Sequence, residues 1–536
     1  MSTPEPVSGL SRRRLLQAMS AAGLAGAFGA PERAFAASPR SARELVASAA
    51  ATSPAGSDLG AVEHVVFLMM ENRSYDHYFG SYQRGRGFND HPAHSLGTFA
   101  QAYPGGSGLT TKNVVLPFHL DINAGDYCTD DLTHEWGAMH QCWNRASMDS
   151  FVRVHTSPAN EGPRGVATMG YFTRQDLPFY YAVADAFTLC DAYHCSILGP
   201  THPNRLMAHS GTIDPSGTHG GPITDTNSNP KYRWSCTWPT VHEVLEDAGI
   251  SWKVYNPSNA DLPPKYAPLA ALPTWNPALY SPSNPLSQDI TDNVLWYFKN
   301  FESVLSPLHQ KAFAPTFPGD FARDIMSGRL PSVSWLMPPQ GYDEHPSSSP
   351  VGGMYFTSLV LGALAANPAV WSKTVLFLMY DENDGWFDHV VPPFSWPGTK
   401  DEYLTAPSIS PQTLGDRGPL GLGVRVPMLV ISPFSRGGHV APEVFDHTSQ
   451  MFFLAERFGI EVPNVSAFRR RAVGDLTSTL FRSPVDHTMP PLPKVPFHVP
   501  PANGSCSAFD QYSQTGGAMP TVPRQQSMPR QEDPLS

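Results

Sequence analysis

The feature that most constrains this chain is a set of short apolar runs, each bounded by polar or turn-forming residues. They are Val62–Met70, Val333–Met337, Thr374–Tyr380 and Val426–Ser432. Each is too short for an ordinary helix. Their lack of polar–apolar alternation predicts strands buried on both faces, as in a parallel sheet. Helix-like segments lie between them. Thr240–Ala248 runs into Gly249 and is followed by a strand-like Ile250–Tyr255, and Gln450–Phe458 stops at Gly459 in the same way. The expected fold is therefore α/β, a central mostly parallel sheet flanked by helices. There is no internal repeat. One large domain over residues 61–490 is expected, between a flexible Ala/Ser/Pro-rich lead-in at 37–60 and a Pro-rich tail at 491–536.

Composition narrows the function classes. Hydrophobic residues make up 41% of the 536, enough for a large core. Only 15% are charged and 55 are proline, which suits a loop-rich exported enzyme. The net charge of −11 argues against nucleic acid as a partner, and the chain offers no polybasic membrane anchor. At the N-terminus, Arg12-Arg13-Arg14 precede a short Gly/Ala-rich apolar stretch, Ala18–Ala30, and then Ala34-Phe35-Ala36. This has the form of a twin-arginine export signal over residues 1–36, implying the twin-arginine export machinery as a partner and a secreted, periplasmic or cell-wall location. Its removal, with four arginines and two glutamates, takes the charge to −13. Six cysteines, none in a C-x-x-C pair, suit disulfides in an exported chain. Cys190 and Cys195 are close enough to bridge, or both are buried thiols.

Chemistry-bearing residues gather just past the predicted strands or at a helix start, where α/β sheets bind ligands. Glu71 and Asn72 follow the first run, offering a carboxylate and an amide oxygen to a hard divalent cation, or else a polar turn. Asp381, Glu382, Asp384 and Asp388 follow the third, with His389. Four carboxylates this close repel one another unless neutralised, and the neighbouring Trp386 and Phe387 argue against simple exposure. In Gly199-Pro200-Thr201-His202-Pro203-Asn204-Arg205, a helix is expected from about Leu206, with Thr201 at its entrance beside Arg205. A hydroxyl there is a candidate nucleophile near the positive end of the helix, or simply an N-cap. His134, His345 and His447 each have a carboxylate neighbour able to fix a tautomer.

These residues carry a resemblance. Glu63–Gly80, Tyr380–His389 and Thr201–Arg205 resemble the signatures of the bacterial phosphoesterase family that unites phospholipases C with certain acid phosphatases, nearest to the mycobacterial-type phospholipases C. Thr168–Asp176 and Phe445–Gln450 support it, and the similarity reaches from about residue 61 to about 485. Asp384 departs from it, standing where relatives often have glycine. The resemblance implies an alkaline-phosphatase-like α/β fold, one active-site divalent metal and a covalent phospho-enzyme. By position it implies Glu71, Asn72, Asp381, Glu382 and Thr201 at the metal, with Ca²⁺, Mg²⁺ or Mn²⁺ favoured over Zn²⁺ by the oxygen donors. Thr201 would be the nucleophile, and Asn72, His134 and His345 would serve the phosphoryl group, His345 as first choice for the acid. The expected substrate is a phosphatidylcholine-type phospholipid. A phosphomonoesterase is the alternative, and a non-catalytic lipid-binding surface protein the distant one.

Overall fold

The computed structural model describes residues 39–90, 96–103, 114–122, 129, 131–226, 232–257, 292–338, 342–346, 348–481 and 527–534. The predicted export signal and most of the C-terminal tail, with Cys128 and Cys506, lie outside these. The principal sheet has eight strands: β1 (His64–Met70), β2 (Thr188–Cys190), β3 (Trp252–Pro257), β4 (Thr316–Phe317), β5 (Val333–Leu336), β6 (Thr374–Tyr380), β7 (Met428–Ile431) and β8 (His439–Ala441). Their spatial order is β8-β2-β7-β6-β1-β5-β3-β4. Every pairing is parallel except those of β7, which runs against both β6 and β2. The fold is the expected mostly parallel α/β sheet, and each of the four apolar runs contains one of its strands.

The helices that matter here are α1 (Pro39–Ala51), α2 (Tyr75–Phe79), α3 (Pro178–Ala186), α4 (Thr201–Ser210), α5 (Val241–Asp247), α6 (Pro350–Ala365) and α7 (Thr448–Phe458). Helix α5 begins with a capping box: the Thr240 hydroxyl accepts from Glu243 N–H while the Glu243 carboxylate accepts from Thr240 N–H. Helix α7 ends at Gly459 in a left-handed conformation, the stop its sequence predicts. Helix α6 is apolar on nearly every side and buried along most of its length, as a helix packed between layers must be.

One expectation is corrected, of the two readings of Cys190 and Cys195 one holds, and a short part of the C-terminal tail is placed. The lead-in predicted to be flexible is instead helix α1 over Pro39–Ala51, packed on α3 and α6. Its small-residue composition resembles a linker, yet Val46, Ala49 and Ala50 recur at helical spacing and are buried, and the Ala49 carbonyl accepts from the Trp371 indole. Cys190 and Cys195 form no bridge. With Cys142 and Cys236 they are buried thiols, and Cys195 donates to the Ile197 carbonyl. At the far end, residues 527–534 dock back onto the domain, with Glu532 paired to Arg174 (2.6 Å) and Gln531 donating to the Tyr82 carbonyl (2.7 Å). Among the described residues no helix is long and apolar enough to cross a membrane.

Candidate active site

Strand register builds the site. β1 and β6 lie side by side in parallel, with Met70 opposite Tyr380, so the residues that follow both strands emerge together at one edge of the sheet. Glu71 and Asn72 come from the first, Asp381 and Glu382 from the second, and all four are buried. Asn72 takes a left-handed conformation (φ 62°), which turns the chain sharply toward α2. Its amide N–H donates to Asp381 Oδ1 (3.1 Å), as does that of Glu382 (2.8 Å). Its side-chain amide donates to Asp384 Oδ1 (3.1 Å). That leaves two buried acceptors, Asn72 Oδ1 and Glu382 Oε1, without hydrogen-bond partners.

Helix α4 brings Thr201 to this edge as its first residue. Pro200 is the N-cap and no side chain caps the helix, so Thr201 does not act as an N-cap. Asn204 fixes the approach: its Oδ1 accepts from Ser196 and Ile197 N–H, and its Nδ2 donates to the Gly199 and Pro200 carbonyls. Arg205 lies four residues after Thr201, on the same helix face. Its guanidinium reaches Asp381 Oδ2 (3.0 Å), Glu71 Oε1 (3.2 Å) and Asp292 Oδ2 (3.5 Å). Behind Asp381, its own carbonyl accepts from His447 Nε2 (2.6 Å), so His447 Nδ1 accepts from the Tyr193 hydroxyl (3.0 Å). Burial pushes His447 down to about 4, which keeps it neutral.

His134 and His345 face each other across the opening, ring centroids 6.2 Å apart. His134 Nδ1 donates to the Leu132 carbonyl (2.6 Å) and lies near Asp384 Oδ1 (3.2 Å) and Asp131 Oδ1 (3.4 Å), while its Nε2 is 3.7 Å from Glu382 Oε1. Burial opposes its charge, but Glu382, Asp131 and Asp384 outweigh burial and hold its pKa well above the usual histidine value. His345 is shifted the other way, by burial and by repulsion from His134. The residue before it, Glu344, is a buried anchor whose carboxylate accepts from the hydroxyls of Tyr78 (2.5 Å), Tyr180 and Tyr380 (2.9 Å). Burial raises Glu344 to about 7.

The carboxylates carry more negative charge than their neighbours offset. Burial raises Glu71, Asp381 and Glu382, with Asp292 adding to the effect on Glu71, and Arg205 offsets only part of it for Glu71 and Asp381. Burial also pushes Asp384 up to about 8. A surplus of buried negative charge, with two orphaned oxygen acceptors, fits a hard divalent cation held by Glu71, Asn72, Asp381 and Glu382. Next to these, Asp131, His134, His345 and Asp384 place four further donor atoms within 4.8 Å of one another, a mixed nitrogen and oxygen group also able to hold a metal. The structure thus brings Glu71, Asn72, His134, His345, Asp381, Glu382 and Asp384 together, with Thr201 at the start of the helix whose Arg205 reaches them, while Asp388 and His389 pair instead with Arg425 and Asp76. Asp292 was not legible in the sequence: it stands in Thr291-Asp292-Asn293, a segment without motif, and meets Arg205 only through the fold.

Comparison with known proteins agrees. The model of the phosphoesterase family matches residues 62–461. The chain belongs to the phosphoesterase family. Phospholipase C A of Mycobacterium tuberculosis is 40% identical over 545 residues, covering 98% of this chain and 97% of its own. The non-hemolytic phospholipase C of Pseudomonas aeruginosa is 41% identical over 452 residues, 81% of this chain and 59% of that one. Among solved structures, a protein of the alkaline phosphatase superfamily from Vibrio parahaemolyticus aligns over 82% of this chain and 79% of its own, with a TM-score of 0.29 and 9% identity. This phosphoesterase is an enzyme, and the residues matched to the family include the buried carboxylates at the ends of β1 and β6.

Proposed function

We propose that this phosphoesterase is an exported phospholipase C that hydrolyses phosphatidylcholine-type phospholipids to diacylglycerol and a phospho-alcohol, with Thr201 as nucleophile. The observation that carries the reading is the near full-length similarity to phospholipase C A. The buried carboxylates beside the start of α4 support it. A divalent ion at Glu71, Asn72, Asp381 and Glu382 would lower the pKa of the Thr201 hydroxyl and screen the phosphate charge.

The remaining chemistry belongs to the chain. The Thr201 oxygen bonds to phosphorus as its proton passes to neutral His345. The bond to the diacylglycerol oxygen breaks as that oxygen takes a proton from charged His134. Water then attacks phosphorus and gives a proton to His134, while the threonine oxygen leaves with the proton held by His345, restoring both rings. These roles reverse the expectation that His345 is the acid. Asp131, Asp384 and Glu382 together favour the charged ring at His134, whereas at His345 burial and the repulsion of His134 and Arg73 outweigh the attraction of Asp131 and Asp292. Arg205 and the positive end of α4 add to the stabilisation of the equatorial oxygens.

The test is mass-spectrometric identification of the products from mixed phospholipid vesicles. Diacylglycerol with a phospho-alcohol is expected. Inorganic phosphate released only from monoesters would replace this reading with a phosphomonoesterase. Residues 1–36 are the export signal in this reading, and N-terminal sequencing of the exported protein should begin just after Ala36.

A further inference from the structure

An enzyme whose substrate sits in a bilayer needs a face that meets the bilayer, and one region near the site has an unusual surface for a water-exposed face. Among the described residues, five large apolar side chains are strongly exposed: Trp396 (78%), Leu414 (68%), Val391 (44%), Val304 and Leu305. Two of these, Leu414 and Trp396, are tied to the two ends of one helix, Trp136–Trp143, and Val391 stands in the same loop as Trp396. Leu414 lies against the first turn of the helix: a Cβ on Gly137 would fall 2.6 Å from Leu414 Cγ. Phe394 packs edge-on against Trp143 at the other end (5.2 Å) and leads on to Trp396 (6.3 Å).

This helix begins at the mouth of the site. Trp136 follows His134 by two residues, and its Cα would sit 3.5 Å from a Cβ on Gly199, two residues before Thr201. The loop Val390–Pro397, exposed at Val391, Trp396 and Pro397, has a single polar residue, the buried Ser395, and it leaves directly from the Tyr380–His389 segment. It is held in place, since the Pro393 carbonyl accepts from Leu422 N–H and the Ser395 carbonyl from the Tyr403 hydroxyl. Leu414 sits at φ 50°, a conformation in which glycine or asparagine is ordinary and an exposed leucine is not. Residues 390–417 carry Lys400 and Arg417 against Asp401, Glu402 and Asp416, which leaves no basic patch to attract anionic groups.

We propose that Trp396 and Leu414, with Val391 and Phe394, form the surface that enters a zwitterionic phospholipid interface and sets the mouth of the site against it. The proposal rests on the phospholipase C reading for its choice of partner. Lipid is favoured over a protein partner because the proposed substrate is itself the surface. Tryptophan and leucine are also suited to the interfacial region of a bilayer, and attachment by apolar burial needs no basic residues.

The experiment uses the full mature chain and the double variant Trp396→Gln/Leu414→Asn, asparagine being tolerated at positive φ. Hydrolysis is measured on a short-chain phosphatidylcholine kept monomeric, and binding and hydrolysis on large phosphatidylcholine vesicles. The double variant should keep monomer turnover within about twofold while vesicle binding falls on the order of tenfold or more. Wild-type vesicle binding should change little between low and physiological salt. Unchanged vesicle binding by the variant would overturn the proposal. So would an equal loss from Leu305→Ser, at an exposed leucine (89%) outside this cluster. If the double variant loses monomer turnover, the single variants are compared by vesicle binding alone. If the wild type hydrolyses neither substrate, the phospholipase reading fails, and the binding measurement still decides whether this face meets lipid.

Discussion

Two largely buried charged clusters draw carboxylates from the same two segments, Glu63–Gly80 and Tyr380–His389, and they are built on opposite plans. In the first, Glu71, Asp292, Asp381, Glu382 and Asp384, with the half-exposed Asp131, face one guanidinium, Arg205, and two imidazoles, His134 and His345. In the second, Asp76 and Asp388 face Arg425 and His389. There, every carboxylate oxygen has a donor. Asp76 Oδ1 takes Arg425, and Asp76 Oδ2 takes both His389 N–H and its ring. Asp388 Oδ1 takes Arg425 and Val390 N–H, and Asp388 Oδ2 takes Arg425 and Asp76 N–H. Asp76, Asp388 and His389 are close enough together to suggest a metal group, yet Arg425 already supplies the neutralising charge. Charge balance separates the two. The balanced cluster clamps α2 to the loop after β6, and the unbalanced one carries a surplus of negative charge that a bound cation would neutralise.

The comparison is tested most severely at Thr201. Thr201→Ala should cost on the order of 10³-fold or more in turnover while leaving metal content and fold intact, because a covalent nucleophile is lost. Acid quenching of the wild type should leave a phospho-alcohol adduct on the peptide containing Thr201. An active alanine variant, or an adduct elsewhere, would falsify the assignment. Next comes Glu382→Gln, which should cost on the order of 100-fold in activity, as should removal of divalent metal. Its effect on the metal-stripped protein is the sharper point. Removing one charge from a surplus should leave the thermal midpoint unchanged or raise it, and a fall would show that the cluster is already balanced.

Arg425→Met should do the reverse. It strands two buried carboxylates, at a cost of about 3–5 kcal/mol, and should lower the denaturation midpoint with metal content per folded molecule unchanged. A variant of unaltered stability would remove the distinction between the two clusters.

How much of this was legible in the sequence follows from where the information sits. β1 and β6 were readable because seven consecutive residues of one character leave few alternatives to a buried strand. β2, β4 and β8 were not, since two or three residues carry no period and exist only through pairing with neighbours. Helix α1 was hidden by its composition: alanine and serine suit a linker as well as a helix, and the burial of Val46 comes from α3 and α6 far along the chain. In the site, Glu71, Asn72, Asp381 and Glu382 could be found because each pair follows an apolar run. Glu344 could be named as a neighbour of His345, but its role depends on Tyr78, Tyr180 and Tyr380, which no spacing connects to it. Arg425 is a similar case, an isolated arginine whose two carboxylate partners stand 37 and 349 residues away.

The smallest effect expected concerns His389, the imidazole of the balanced cluster. Burial works against its charge, but the Asp76 carboxylate at 2.7 Å from Nδ1, together with Asp90 at 3.5 Å from Nε2, raises its pKa to about 9. Arg425 opposes the shift, and the Phe99 ring covers the imidazole from another side (5.4 Å). A histidine whose pKa rises on folding contributes stability that is complete below its unfolded value, near 6.5, and is lost as pH climbs through the folded one. The contribution is on the order of 2–3 kcal/mol, and its loss falls between about pH 7 and pH 10. Urea denaturation of the wild type and of His389→Gln, repeated across that range, isolates it from other alkaline titrations because those are common to both proteins. The gap in stability should be widest near pH 7 and should narrow steadily toward pH 10. A gap that stays constant would mean that His389 is held by packing against Phe99 and its neighbours rather than by charge, and the cluster would then be balanced by Arg425 alone.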